Sequence, residues 1–205
     1  MPKQAFSLER GEPARLEVSW RAFWKEFTVR LDGQTVGTVP TQKELSAGRE
    51  FSLADGSLLW VQLHKGALGA ELRITRNGQP LPGTSSDPEA QLKGAYAMLL
   101  FLAGLNLVLG LFALSTRNPF LEQMGMGLYS VLFGLLFLGL AALVKRRSLV
   151  ALILSIVVFF ADGLMATIGP AMQGYSPNTL LLVTRLFLLL PLIQGIGAIR
   201  ALKQR

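Results

Sequence analysis

Cysteine is missing from the chain and histidine occurs once, at position 64. Without thiols there are no disulfides, no thiolate metal sites and no prenyl or acyl attachment through sulfur. A lone His64 cannot supply the paired imidazoles of an H-E-x-x-H zinc site, and no G-x-S-x-G elbow gives it a nucleophile to serve. P-loops and dinucleotide fingerprints are absent as well. Asp162, the acidic residue within an apolar segment, has no second Asp beside it, which argues against an intramembrane aspartyl protease. The sequence thus predicts no enzyme, no cofactor and no metal. His64 reads as a surface residue at a strand end.

Charge is the next scarcity. Charged residues make up 16% of the chain, against about a quarter in a soluble domain. The deficit is local. Residues 1–93 hold 12 Lys+Arg and 11 Asp+Glu, whereas residues 94–205 hold 8 basic and 2 acidic residues. The first part has a water-soluble composition and the second a lipid-soluble one. The net charge of +7 belongs almost wholly to the apolar part, so it does not point to nucleic acid. An apolar run suited to a signal peptide is lacking near Met1, and residues 1–90 are accordingly expected on the cytoplasmic side.

Between Ala14 and Arg76 apolar and polar residues alternate with period two. Leu16, Val18 and Trp20 form one such set; Phe27, Val29 and Leu31 form another; Leu59, Val61 and Leu63 a third. Asp32-Gly33, Asp55-Gly56 and Asn77-Gly78 punctuate them as hairpin turns. About seven strands fit, and helical periodicity is not apparent. The expected first domain, residues 1–78, is an all-β antiparallel meander curled into a small sandwich or barrel. Trp20-Arg21-Ala22-Phe23-Trp24-Lys25 interleaves aromatic and basic residues. Trp20 is in phase with the core, while Trp24 and Lys25 are the candidates for a membrane-interfacial surface.

The order F-x-V-x-L-D-G-Q (Phe27 to Gln34), G-x-x-F-x-L-x-D-G (Gly48 to Gly56) and L-x-I-x-x-N-G (Leu72 to Gly78) resembles the β-domain of the Fas apoptotic inhibitory molecule family. The resemblance covers residues 27–78 and implies a non-catalytic β-sandwich used for protein contacts. It carries over no functional residue. The chain departs from that soluble family by its apolar second half.

Residues 79–93 read as linker and helix start. Pro80, Pro82, Gly83, Thr84, Ser85 and Ser86 mark a boundary, and Ser86-Asp87-Pro88-Glu89 is a dense helix-start signal. Either Asp87 caps with Pro88 in the first turn, or Ser86 caps with Glu89. Residues 94–205 then contain four apolar segments, at about 95–114, 125–144, 149–168 and 179–199. Each is long enough to cross a roughly 30 Å hydrocarbon core. The expected fold class is mixed: an all-β domain followed by an all-α four-helix transmembrane bundle.

Four crossings put both termini and the 145–148 connection on one side. Lys145, Arg146 and Arg147 lie in that connection, Arg200, Lys203 and Arg205 in the tail, and Lys93 before the first span. The opposite side offers Arg117. This asymmetry predicts cytoplasmic N- and C-termini in a multi-pass inner-membrane protein. The same six cations of the connection and tail could hold anionic headgroups, although setting topology accounts for them.

Two charges fall inside spans, Asp162 and Arg185. Each lies six residues from the outer end of its span, about 9 Å deep. Asn106 falls near the same level, at about 12 Å. Three readings stand: an Asp162–Arg185 pair clamps two spans; Arg185 snorkels to the interface; or Asn106, Asp162 and Arg185 line a polar pocket. Gly104 and Gly110, then Gly127 and Gly134, suggest close helix packing, and Pro191 suggests a kink near 187–191. The leading functional expectation is a membrane-anchored interaction or scaffolding module with a cytoplasmic β-domain. The alternative is a small transporter or lipid-handling protein built on the polar cluster. Expected partners are the lipid bilayer, a protein bound through the β-domain and, as an open alternative, a second copy of the chain; nucleic acid is not among them.

Overall fold

A computed structural model describes residues 1–66, 69–116, 127–172 and 179–204. The chain forms two compact units, Met1–Ala90 and Gln91–Arg205.

The first unit is antiparallel β structure in two four-stranded sheets. One holds β1 (Lys3–Ser7), β2 (Ala14–Arg21), β3 (Lys25–Leu31) and β4 (Gln34–Val39) in chain order. The other holds β5 (Arg49–Ser52), β6 (Leu58–Gly66), β7 (Gly69–Arg76) and β8 (Gln79–Pro80), again in chain order. Period-two alternation decides which face is inside. Leu16 pairs with Leu31 and Val18 with Val29 across β2 and β3, and Val61 pairs with Ile74 across β6 and β7. Leu16, Val18, Phe27, Val29, Val39, Leu59, Val61 and Ile74, from both sheets, share one fully buried core. Asp32-Gly33 and Asn77-Gly78 take positive φ at both positions, as a two-residue hairpin turn requires. At Asp55-Gly56 only the glycine does. There Asp55 accepts hydrogen bonds from the Ser57 amide at 2.9 Å and its hydroxyl at 2.6 Å, a side-chain-closed turn.

Further elements of this unit lie outside the expected set of strands. The strand β1 precedes the alternating region. A six-residue helix, α1 (Gln42–Ala47), connects the sheets and inserts Leu45 into the core. Thr41 is its N-cap: the Glu44 amide donates to Thr41 Oγ1 at 3.2 Å, and the Thr41 hydroxyl donates to the Glu44 carboxylate at 3.0 Å. Gly48 ends it at φ +92°, in the space where a Cβ would strike the Trp60 indole.

Residues 79–87, expected as a linker, are folded onto the β-unit. Leu81 is 2% exposed and belongs to its core, and Ser85 Oγ donates to the Leu72 carbonyl at 3.1 Å. Asp87 provides the helix cap, accepting from the Glu89 amide at 3.1 Å and the Gly83 amide at 3.0 Å. Helix α2 (Pro88–Thr116) begins there, with Pro88 in its first turn, where a missing N–H costs nothing.

Among the described residues three further helices follow: α3 (Leu128–Lys145), α4 (Leu149–Met172) and α5 (Thr179–Lys203). All four long helices are long and apolar enough to cross a membrane, with mean hydropathies of 1.6 to 2.5 over their most apolar windows. The expected start of the second span, residues 125 and 126, lies outside the described residues. In this unit α3 packs on α4 and α4 on α5. Phe137, Leu152, Leu192 and Ile199 are fully buried at the centre. Glycines set the close approaches: a Cβ at Gly134 would sit 3.0 Å from the Ala103 carbonyl oxygen, and one at Gly110 would sit 2.8 Å from the Val131 nitrogen. Gly195 fits against Ala95 and Leu152 in the same way, whereas Gly104 faces open space. Gly127 caps α3 from outside, at φ +147°. Helix α5 remains helical through Pro191.

Candidate functional site

Asp162 on α4 and Arg185 on α5 come together. Arg185 Nη1 donates to Asp162 Oδ2 at 2.7 Å, with the two side chains 22% and 23% exposed. The pair lies in the apolar helical unit, where a single unneutralised charge would cost several kcal/mol, ~3 by insertion scales. Two neighbours fit the guanidinium, and a third meets the carboxylate. Gly163, next to Asp162, clears its path, since a Cβ there would come within 3.0 Å of Arg185 Cδ and Nη1. Phe159, one turn before Gly163, places its ring centroid 5.8 Å from Arg185 Cζ, within cation–π range. Tyr129, at the start of α3, interacts with Asp162 and feels the Arg185 charge. Residues of three helices thus border the pair.

Asn106 does not join this cluster through any hydrogen bond found among the described residues. Its amide donates to the Leu102 carbonyl of its own helix at 2.9 Å. Ser155, buried deeper in α4, likewise donates to the Ala151 carbonyl at 2.7 Å. Arg185 turns its guanidinium to Asp162, as the ion-pair reading expects. Beside the pair is a cavity of about 230 Å³, lined by Phe159, Phe160, Gly163, Leu164, Arg185, Leu186 and Leu189. Its walls are apolar except for one guanidinium.

Tyr129, Phe159 and Gly163 were not singled out by the sequence. Tyr129 was legible in principle, because it begins α3 at the end where Asp162 and Arg185 lie in their own helices. Phe159 and Gly163 resemble ordinary apolar-span residues until the side-chain contact is seen.

The cationic residues lie at helix ends. Lys145 closes α3, while Arg200 and Lys203 are in the last turn of α5, where positive charge complements the helix dipole. Arg146 and Arg147 form the turn after α3; Arg147 takes φ +61° and its amide donates to the Val144 carbonyl at 2.8 Å. Lys145 Nζ stands 5.9 Å from the Tyr96 ring centroid. Arg205 lies outside the described residues.

In the β-unit, Trp24 is packed rather than presented. Its ring stacks on Trp20 at 4.4 Å and 14°, and both indoles pack against the core. Lys25 is exposed. The projecting aromatic is their neighbour Phe23, at 81% exposure. Phe23, Trp24 and Glu26 adopt φ of +57°, +58° and +50°, a conformation costing on the order of 1–2 kcal/mol per L-residue.

Two ionic groups tie the β-unit together. Arg10 pairs with Asp87 at 2.8 Å and also with Glu89, linking the β1–β2 loop to the start of α2. Arg76 pairs with Asp55 at 2.7 Å and Glu9 at 3.2 Å. The Ser57 hydroxyl and amide, helped by Arg76, hold the Asp55 carboxyl at about 2. No family model, curated protein or solved structure matches the chain.

Proposed function

We propose that the chain is a multi-pass membrane anchor carrying a protein-interaction module: the β-sandwich binds a partner, and the four long helices hold it at the inner membrane with both termini cytoplasmic. The observation that carries this reading is the fate of polar groups within the helices. Asp162 and Arg185 neutralise each other, and the Asn106 and Ser155 side chains return to their own helix backbones. Such groups support packing better than conduction, since a transport path needs polar groups that remain available to a solute. The β-unit offers β1, five residues long, as a terminal strand of one sheet, and strand edges are ready acceptors of an added strand, whereas the two-residue β8 with Pro80 is blunted.

A second reading has one specific support, the apolar cavity against Arg185. It makes the helical unit a carrier of a small amphiphile or lipid. One experiment separates the two. Photo-crosslinking residues are placed at Gln4 on β1 and Gln79 on β8 in the full chain, in its native membrane. The interaction reading expects one discrete protein adduct from an edge position, unchanged by Asp162→Asn. Lack of any adduct, with a solute flux in proteoliposomes that Asp162→Asn abolishes, establishes the carrier instead.

A further inference from the structure

We propose that the turn at residues 22–24 is a lipid-docking tip, through which the β-unit seats on an anionic bilayer surface with Phe23 entering the headgroup–acyl boundary. This rests on the reading of the helices as a membrane anchor, and is independent of whether the strand edges bind a protein.

Three features of the tip converge. The most exposed large apolar residues described in the β-unit are Phe23 at 81% and Met1 at 70%. Both border one open depression, with Pro2, Trp20, Arg21 and Trp24 around it, so they make a single apolar patch. Second, the backbone is held in a conformation that bulky residues avoid. The consecutive left-handed residues Phe23 and Trp24 turn one ring in and the other out: Trp24 stacks on Trp20, itself 6.3 Å from Phe27 of the core. The stack braces the turn while Phe23 is left projecting. Such strain persists only where the surroundings enforce it, and it gathers at working surfaces.

Third, the charge around the patch suits phosphate. Lys3, on β1 opposite Ser19, and Lys25 are exposed near this end of the sheet. Arg21 adds a guanidinium whose partner is Glu26 at 3.0 Å. Three cations against one carboxylate leave the rim positive. An aromatic wedge with a basic rim matches the interfacial region of a bilayer, where rings reach the acyl boundary and cations meet anionic headgroups. Tethering favours this occupant over a diffusing one, because an anchored domain meets the surface at high effective concentration.

All three tryptophans of the chain, Trp20, Trp24 and Trp60, lie in this unit. Trp60→Phe therefore leaves the stacked pair behind the tip as the only tryptophan fluorophores, excited selectively over the tyrosines. The full chain carrying that change is placed in nanodiscs of phosphatidylcholine with brominated acyl chains, with or without phosphatidylglycerol. Docking predicts tryptophan quenching that is strong on the anionic discs and weaker on the neutral ones. Lys25→Ala should lower the docking constant about five-fold. Phe23→Gly should abolish quenching while preserving the circular-dichroism couplet of the stacked indoles, because glycine accepts this φ without strain. Unquenched tryptophans on anionic discs, equal quenching on neutral discs, or quenching that survives Phe23→Gly each overturn the proposal. Protection of Phe23 seen only with an added protein partner, with no quenching by lipid, overturns it in favour of a protein contact. Failure of the anchor would appear separately, as a chain that salt washes from the disc.

Discussion

Phe27 and Phe137 are both fully buried aromatic side chains, one in each unit. What lies outside them differs. Around Phe27 the β-unit turns polar residues to its outer faces, with Glu17, Arg30 and Arg73 exposed between core positions. Around Phe137 the helices display Phe101, Leu132, Val150 and Phe160 outward, so apolar atoms occur on both sides of the packing layer. In the first unit burial removes apolar surface from water, and the hydrophobic effect drives it. In the second, on the proposed reading as a membrane anchor, the surrounding lipid is as apolar as the core, and close packing has to do the work. That explains why glycines at 110, 134 and 195 lie under neighbouring helices, whereas β-unit glycines such as Gly33 and Gly78 mark turns of positive φ.

The largest expected effect tests that difference directly. Phe27→Ala loses both transfer energy and packing, and should destabilise the β-unit by about 3–5 kcal/mol. Phe137→Ala loses packing but little transfer energy, since its neighbours and surroundings are both hydrocarbon. Its cost should therefore be clearly smaller. Denaturation of the full chain in bilayers, followed by hydrogen exchange at amides of each unit, would measure both. Equal costs would break the comparison.

Ion pairs provide the next contrast. Arg15–Asp32 on the β-unit and Arg185–Asp162 between α4 and α5 have similar lengths, 2.5 and 2.7 Å. Water can solvate Arg15 and Asp32 separately, so Arg15→Ala should change stability little and less still in high salt. Arg185→Leu leaves Asp162 without its cation in an apolar setting, at a cost of about 3 kcal/mol. Asp162→Leu/Arg185→Leu should recover most of the loss, because a well-packed apolar pair can replace a buried salt bridge. Thermal unfolding of the four variants in lipid closes the cycle. A double variant no more stable than either single would mean that the pair contributes more than mutual neutralisation.

These contrasts also show where sequence reading reached. Strict alternation exposed the β2, β3, β6 and β7 core faces because one residue of slip would turn every apolar side chain outward. Long apolar runs exposed the four helices for an equally plain reason. Strand β1 was harder, since Lys3 to Ser7 contains one large apolar residue, Phe6, and lacks a repeating pattern. Helix α1 was short enough for its Thr41-x-x-Glu44 cap to be overlooked. Pro80 and the Gly/Ser cluster resembled a linker, yet Leu81 is a core residue and the surrounding polar groups fold over it. At the candidate site, helix depth suggested that Asp162 and Arg185 meet. Rotation about each helix axis was not legible, so Asn106 looked equivalent although it bonds within its own helix. The left-handed backbone shared by Phe23 and Trp24 leaves the first ring exposed and packs the second on the core, which a run of adjacent aromatic residues does not reveal.

A smaller effect concerns acid. In the β-unit Asp55 is held ionised by Ser57 and Arg76, with its carboxyl lowered from 3.8 to about 2. Asp32 is lowered as well, first by its hydrogen bond from Arg15. A depressed carboxyl binds fewer protons folded than unfolded, so its stabilising contribution is present above the unfolded value. It is lost as pH falls from about 4 through about 2. Ser57→Ala removes the hydroxyl bond, the largest cause of the shift. The Asp55 carboxyl should then titrate nearer its ordinary value, with acid loss of β-unit structure beginning at higher pH. Carboxyl-carbon NMR of the full chain would follow the titration, and circular dichroism the structure. A Ser57→Ala carboxyl that still titrates near 2 would assign the shift to the backbone amide and Arg76. The acid response would then belong to the strand ends that bring those groups together, rather than to the serine in the turn.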